Sequence, residues 1–129
     1  MQYSVKHLGV QHVVVCGHTS CGGVNATLGN DSLGVIDVWL QPMRALREKH
    51  ANELGRLEGA EKVNMLTKLN VQAGVNVLRR IPVIVDAIRD RGLQVHGAVY
   101  NLGSGVLEEV DYDESEDADK HRRATFELK

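Results

Sequence analysis

Residues 10–16 are a short run rich in valine, with Val10, Val13, Val14 and Val15 leading to Cys16. The run empties directly into a segment containing Gly17, Gly22 and Gly23. Nearly continuous apolarity over so few residues predicts a strand covered on both faces, as in a parallel sheet buried between helices. Such a strand ends at the carboxyl rim of an α/β sheet, where ligands usually bind. Glycines just beyond it let backbone amides approach a bound group. The chemistry of this chain is therefore expected at residues 16–23, with the rest serving as scaffold.

The scaffold reads as alternating helices and strands. Residues 3–8 have helical composition, and Gly9 stands where a glycine stops a helix. Val35, Ile36, Trp39, Leu40, Met43 and Leu46 recur at helical spacing, predicting one inward apolar stripe that Pro42 kinks or restarts. Residues 57–78 carry a longer helical pattern with Arg79 and Arg80 near its end, where cations suit the helix dipole. Pro82 fits the first turn of a short helix that Gly92 ends. Residues 93–100 alternate as a strand, and the turn at 101–105 returns the chain into residues 106–112 as an antiparallel edge strand. The predicted fold is α/β: a mostly parallel sheet with flanking helices and an antiparallel edge. It occupies residues 1–112, and residues 113–129 form a charged tail or a loosely docked last helix.

Composition narrows the function classes. Fifteen basic residues against seventeen acidic ones leave a net charge of −2. No surplus of cations is present to release counterions from a phosphate backbone, which argues against a nucleic-acid partner. The apolar runs are far shorter than the ~20 residues a membrane helix needs, and no signal peptide opens the chain. No membrane association is expected, and the expected setting is cytoplasmic, or at least intracellular. Aromatic residues make up only 4% of the chain, so the core must be built from Val, Leu, Ile and Ala.

Cys16 and Cys21 are too close in sequence for a disulfide to stabilise much, since that gain grows with loop length, and they are better read as a thiol or metal pair. His18 and Cys21, three residues apart, could turn an imidazole nitrogen and a thiolate toward one zinc ion. By spacing alone, a strand-terminal turn with a half-buried thiol accounts for the pair equally well. Two ligands would make a weak site, open to chelators. Cys16 is either a third ligand, lying ~6–7 Å deeper along the strand, or a buried core thiol, the usual fate of a free cysteine. His7, His12, His50 and His121 lack partner spacing and read as surface residues. His96 reads as a structural histidine bonded to backbone.

The stretch from Leu8 to Val24, containing Val13-Val14-Val15-Cys16-Gly17-His18-Thr19-Ser20-Cys21-Gly22-Gly23, resembles the second zinc motif of the β-class carbonic anhydrases, particularly fungal and bacterial ones. Further blocks follow in the family's order: Ile36-Asp37-Val38-Trp39-Leu40, Leu69-Asn70-Val71-Gln72, Pro82-Val83-Ile84-Val85-Asp86-Ala87 and Leu93-Gln94-Val95-His96-Gly97-Ala98-Val99-Tyr100. The resemblance spans residues 1 to about 112. It implies reversible hydration of carbon dioxide to bicarbonate, zinc as cofactor, His18 and Cys21 as metal ligands, Gly22 and Gly23 as the pocket floor, and a homodimer or higher oligomer. The family's C-x-D-S-R motif, which supplies another zinc cysteine, an aspartate and an arginine, occurs nowhere in this sequence. The chain thus resembles a truncated β-carbonic anhydrase, its last two-thirds. With those groups missing, activity of the chain by itself should fall by orders of magnitude. The missing strand should also leave the 10–16 strand with an uncovered edge. The alternatives are a non-catalytic short family member acting as an oligomeric or partner-binding protein, and a portion of an ordinary enzyme.

Overall fold

A computed structural model describes residues 1–112 and 114–128. Asp113 and Lys129, the two ends of the expected tail segment, lie outside the described residues. In chain order the elements are a π-helical turn Tyr3–His7, then β1 His12–His18, α1 Gly22–Leu28, α2 Val35–Lys49, α3 Ala51–Gly55, α4 Gly59–Leu78, α5 Pro82–Arg91, β2 Gln94–Tyr100, β3 Leu107–Val110 and α6 Glu116–Phe126. The three strands form one sheet in the order β1-β2-β3. The Gln94 amide donates to the Gln11 carbonyl (2.9 Å) and the Thr19 amide to the Tyr100 carbonyl (3.0 Å), so β1 and β2 advance together as parallel neighbours. β3 returns antiparallel through a short loop closed by the Asn101 amide on the Val106 carbonyl (2.8 Å). This small mixed sheet with its helices is the α/β class that the pattern predicts. Among the described residues, no helix is long and apolar enough to cross a membrane.

The chain divides into two compact units. One comprises Met1–Val15, Gln72–Gly97 and Glu109–Lys129, the other Cys16–Val71 and Ala98–Glu108. In the first, Val5, Ile84, Ala87 and Leu93 are buried together, with Val10, Val13, Ile88 and Val95 packed against them. α5 starts at Pro82, whose missing amide proton is no loss in a first turn, and stops at Gly92 in the left-handed conformation, φ +70°. Arg91 holds the N-terminal turn by donating to the carbonyls of Val5 (2.9 Å) and Val10 (2.5 Å). α6 is capped by Ser115, whose hydroxyl accepts from the Ala118 amide at 3.2 Å. A buried arginine, Arg122, fixes α6 through Glu114 and the Arg79 carbonyl.

In the second unit Val24, Met43, Leu54 and Leu66 form the core, joined at its margin by Cys21, Leu28, Leu46, Val63 and Met65. Here the structure departs from the sequence reading in two places. α2 continues through Pro42 and does not restart there, because the buried side chains of Leu40 and Met43 on either side of it hold the helix to the core. Its apolar stripe also does not wholly face inward. Val35, Ile36, Val38 and Trp39 are exposed, Trp39 to 71%. The helix reaches the core only from Leu40 onward, so residues 35–39 display their apolar side chains.

β1 also differs from expectation. It begins at His12 rather than Val10, and its residues alternate between exposed and partly covered. It is an outermost strand, with Val14 51% exposed, so it is not covered on both faces. The covered side rests on α4. A side chain on Gly74 would meet Val15 at 2.9 Å, and one on Gly17 would meet Val71 at 2.9 Å and Thr67 at 3.2 Å. Two glycines therefore set how closely helix and strand approach. Residues 57–78, read as one helix, are the single helix α4, which begins at Gly59; the short α3 lies before them.

Candidate metal centre

His18 is the last residue of β1 and Cys21 immediately precedes α1. The two residues between them reverse the chain. Ser20 adopts a positive φ of 55°, rare for a residue with a side chain and worth roughly 1–2 kcal/mol of strain. The turn is pinned from outside. The Thr19 amide donates to the Tyr100 carbonyl at 3.0 Å, and the Thr19 hydroxyl accepts from the Leu102 amide at 3.0 Å. The end of β2 and the following loop thus hold the turn on which both candidate ligands sit.

The ring of His18 is oriented by its own neighbour. Nδ1 lies 2.9 Å from the Thr19 carbonyl, which can only accept, so Nδ1 carries the proton and Nε2 keeps its lone pair. A metal-ligating imidazole is prepared in the same way, with one nitrogen tied to an acceptor and the other free. Cys21 is half-buried and reduced. Its carbonyl accepts from both the backbone amide and the side-chain amide of Asn25 (3.0 and 2.9 Å), which fixes the start of α1. Gly23 leaves room beside it. A side chain there would meet the Trp39 ring at 3.4 Å and the Cys21 sulfur at 3.8 Å, so the exposed indole and the thiol share one small surface.

Cys16 is exposed, with its thiol 3.3 Å from the Gly17 carbonyl, and is not the buried core thiol that its residue type suggested. The reason is strand phase, since Cys16 belongs to the outward set of an outermost strand. One histidine departs from its sequence reading as well. His12 is at the surface as read, but its Nδ1 lies 3.0 Å from Nε2 of His96, and His96 bonds side chains rather than backbone, with Glu109 at 3.3 Å on its other nitrogen. His50 faces Glu53 at 3.4 Å. The contacts of His12, His96 and Glu109 are not visible in spacing, since they depend on the register of three strands, whereas His50 and Glu53 are simply three residues apart.

The imidazole of His18 and the thiol of Cys21 are donors that zinc takes. Among the described residues, no group of three or more His, Cys, Asp or Glu side chains comes together to hold a metal. The donor types fit, and the number falls short of the three or four protein ligands of a complete zinc site.

Comparison with known proteins agrees with this arrangement of fold and turn. The family model described as carbonic anhydrase matches residues 1–107. A carbonic anhydrase of Emericella nidulans is 37% identical over 115 residues, covering 88% of this chain and 50% of that protein. One from Candida albicans is 33% identical, covering 90% of this chain and 42% of that protein. Among solved structures, the β-carbonic anhydrase CafA of Aspergillus fumigatus superposes with a TM-score of 0.97 at 48% identity, covering 99% of this chain and 62% of that one. A structure from work on two tetrameric β-carbonic anhydrases of Sordaria macrospora gives 0.83 at 40% identity, covering 88% of this chain and 59% of that one. The chain belongs to the β-carbonic anhydrase family. It spans about half the length of the curated relatives it matches.

Proposed function

We propose that this chain carries half of a β-carbonic anhydrase zinc site, in which Nε2 of His18 and the sulfur of Cys21 hold the ion. The ligands needed to complete it lie outside the described residues of one chain. The observation that carries this reading is the His18 ring, tied through Nδ1 to the Thr19 carbonyl with its other nitrogen free, three residues before a half-buried thiol. Bound zinc would supply Lewis acidity, lowering the pKa of a water to about 7. The chain's own part is to hold the two donors on a turn anchored by Tyr100 and Leu102. Gly22 and Gly23 keep the floor beside Cys21 open to a molecule the size of carbon dioxide or bicarbonate. Cys16, exposed and in strand phase with His18, is the one further thiol within the segment. An intracellular setting, where thiols stay reduced, suits all three side chains.

The test is zinc content after dialysis against a mild chelator, alongside stopped-flow hydration of carbon dioxide. Wild type should hold zinc weakly, His18→Ala and Cys21→Ser should each lose it, and hydration should run orders of magnitude below a complete enzyme of the family. Zinc retained unchanged in both variants would overturn the assignment. Tight stoichiometric zinc with ordinary hydration rates would overturn the view that the site is only half present.

A second reading, a non-catalytic or assembly-dependent family member, is favoured by surface chemistry. β1 is an outermost strand with Val14 half exposed, and α2 displays Val35, Val38 and Trp39. An open strand edge and apolar side chains of this kind invite pairing with another copy. Light scattering at low micromolar concentration should therefore report at least twice the chain mass. A clean monomer would refute that expectation.

A further inference from the structure

His12 stands at the start of β1 and His96 within β2, on adjacent parallel strands. Their rings meet with Nδ1 of His12 3.0 Å from Nε2 of His96, the ring centroids 5.3 Å apart and the planes inclined at 32°. The opposite nitrogen of His96 lies 3.3 Å from the Glu109 carboxylate on β3. An ionised carboxylate only accepts, so Nδ1 of His96 is the protonated nitrogen and Nε2 presents a lone pair toward His12. Two imidazole nitrogens at this separation need something positive between them, either a proton or a metal ion.

We propose that His12 and His96 form a two-imidazole site for a divalent transition-metal ion, separate from the His18 and Cys21 pair. Three observations support it. A ligating imidazole characteristically gives its other N–H to a carboxylate, and Glu109 stands in that position behind His96. Both rings can be reached from solvent, His12 being exposed and the His96 side chain 29% accessible, so an ion can enter without opening the fold. The spacing also selects the ion. With metal–nitrogen bonds of about 2.0–2.1 Å, nitrogens 3.0 Å apart subtend roughly a right angle at the metal, closer to tetragonal or octahedral coordination than to a tetrahedron. That geometry suits copper(II) and nickel(II) better than zinc. Water fills the remaining coordination sites.

The surroundings set limits on the site. No third His, Cys, Asp or Glu completes a cluster with the pair among the described residues, so the ion is held as a bidentate chelate and exchanges readily. Arg91 lines the same surface hollow as His12, Gln11 and Gln94, but its guanidinium is occupied by the carbonyls of Val5 and Val10. The carboxylate of Glu109 supplies the compensating charge on the other side.

The experiment is titration of the full-length chain with nickel(II), followed by calorimetry or equilibrium dialysis. Copper(II) broadening of histidine ring proton signals serves as the second readout. One nickel per chain is expected at this pair, counted in the His18→Ala/Cys21→Ser double variant so that the other donor pair adds nothing. Its affinity should stay within about twofold in the His18→Ala/Cys21→Ser double variant, fall at least tenfold in both His12→Gln and His96→Gln, and fall about tenfold in Glu109→Gln. The signals of His12 and His96 should broaden before those of His7, His50 and His121. Glu109→Gln keeps the shape of the side chain, so it reads positioning of the ring without disturbing the sheet. Nickel affinity unchanged in His12→Gln, or lost in the His18→Ala/Cys21→Ser variant, would overturn the proposal. So would a wild type that binds no more nickel than the His12→Gln/His96→Gln double variant, which would leave a proton as the only occupant.

Discussion

Arg122→Met is expected to cost about 3–5 kcal/mol of stability, the largest loss from any single charge in the chain. The Arg122 side chain is 1% exposed, and Glu114, its main partner, is 8% exposed. Nε donates to both Glu114 oxygens at 2.9 and 3.2 Å, Nη1 donates to the Arg79 carbonyl at 3.0 Å, and Asp119 accepts from Nη2. Among the described residues, removing the guanidinium leaves a buried carboxylate with only Arg79, 3.1 Å away, to offset it. Burial alone would lower the Arg122 pKa, but the hydrogen bond and charge of Glu114, with Asp119, outweigh it and raise the pKa above its ordinary value. A raised folded-state pKa on a cation contributes stability that is fully present below the ordinary arginine value and is lost only as pH rises through the raised folded-state pKa. The arginine itself therefore imposes no pH dependence in the neutral range. Urea unfolding measures the effect, and a domain with 5–15 kcal/mol to lose has little margin for it. Arg122→Met/Glu114→Leu should recover much of the loss, because an apolar pair needs no compensation. A loss below about 1 kcal/mol in the single variant would show that α6 is not held by this pair.

Gly17→Ala should cost about 1–3 kcal/mol, and it should weaken zinc binding as well. The added methyl would sit 2.9 Å from Val71, closer than such carbons come, and 3.2 Å from Thr67, a tight contact. Val71 is 2% exposed and Thr67 is 3% exposed, and the Thr67 hydroxyl donates to the Val63 carbonyl at 2.9 Å, so neither side chain can move aside freely. The strand must shift instead, and the next residue along it is His18. Val71→Ala removes the closest clashing atom. The Gly17→Ala/Val71→Ala double variant should therefore be more stable than the sum of the single losses implies, with a coupling of about 0.5–3 kcal/mol. Additive losses, or zinc affinity unchanged in Gly17→Ala, would separate the packing of Gly17 from the placing of His18.

How much of this was legible beforehand depends on how local the cause is. α5 was readable to within a residue, because Pro82 and Gly92 act on their own backbone, one lacking an amide proton and the other adopting φ +70°. The hairpin of β2 and β3 was readable for the same reason, its turn residues lying between two alternating runs. The candidate ligands His18 and Cys21 were legible as chemistry and as a family motif. The tautomer of His18 was not, since it depends on how the ring meets the Thr19 carbonyl. Trp39 was read as part of an inward stripe and is largely exposed beside Cys21 and Gly23. Periodicity tells which residues share a helix face, but not how far along the helix a partner extends.

The sequence by itself determined the α/β class, the strand that delivers His18, the turn that follows it and the family. All of these rest on neighbours within a few residues and on side-chain chemistry that travels with the residue. Only the tertiary structure decided which faces are covered. It made β1 an outermost strand, turned Cys16 outward, brought His12 against His96 and Glu109, and buried Arg122 with Glu114. The physical reason is that strand register and burial are properties of pairs of segments far apart in the chain. A shift of one residue in β1 would send every one of its side chains to the other face. Charge pairs behave similarly, since acidic and basic residues that read as a charged tail or a loosely docked helix include a buried anchor once folding brings Arg79 to them.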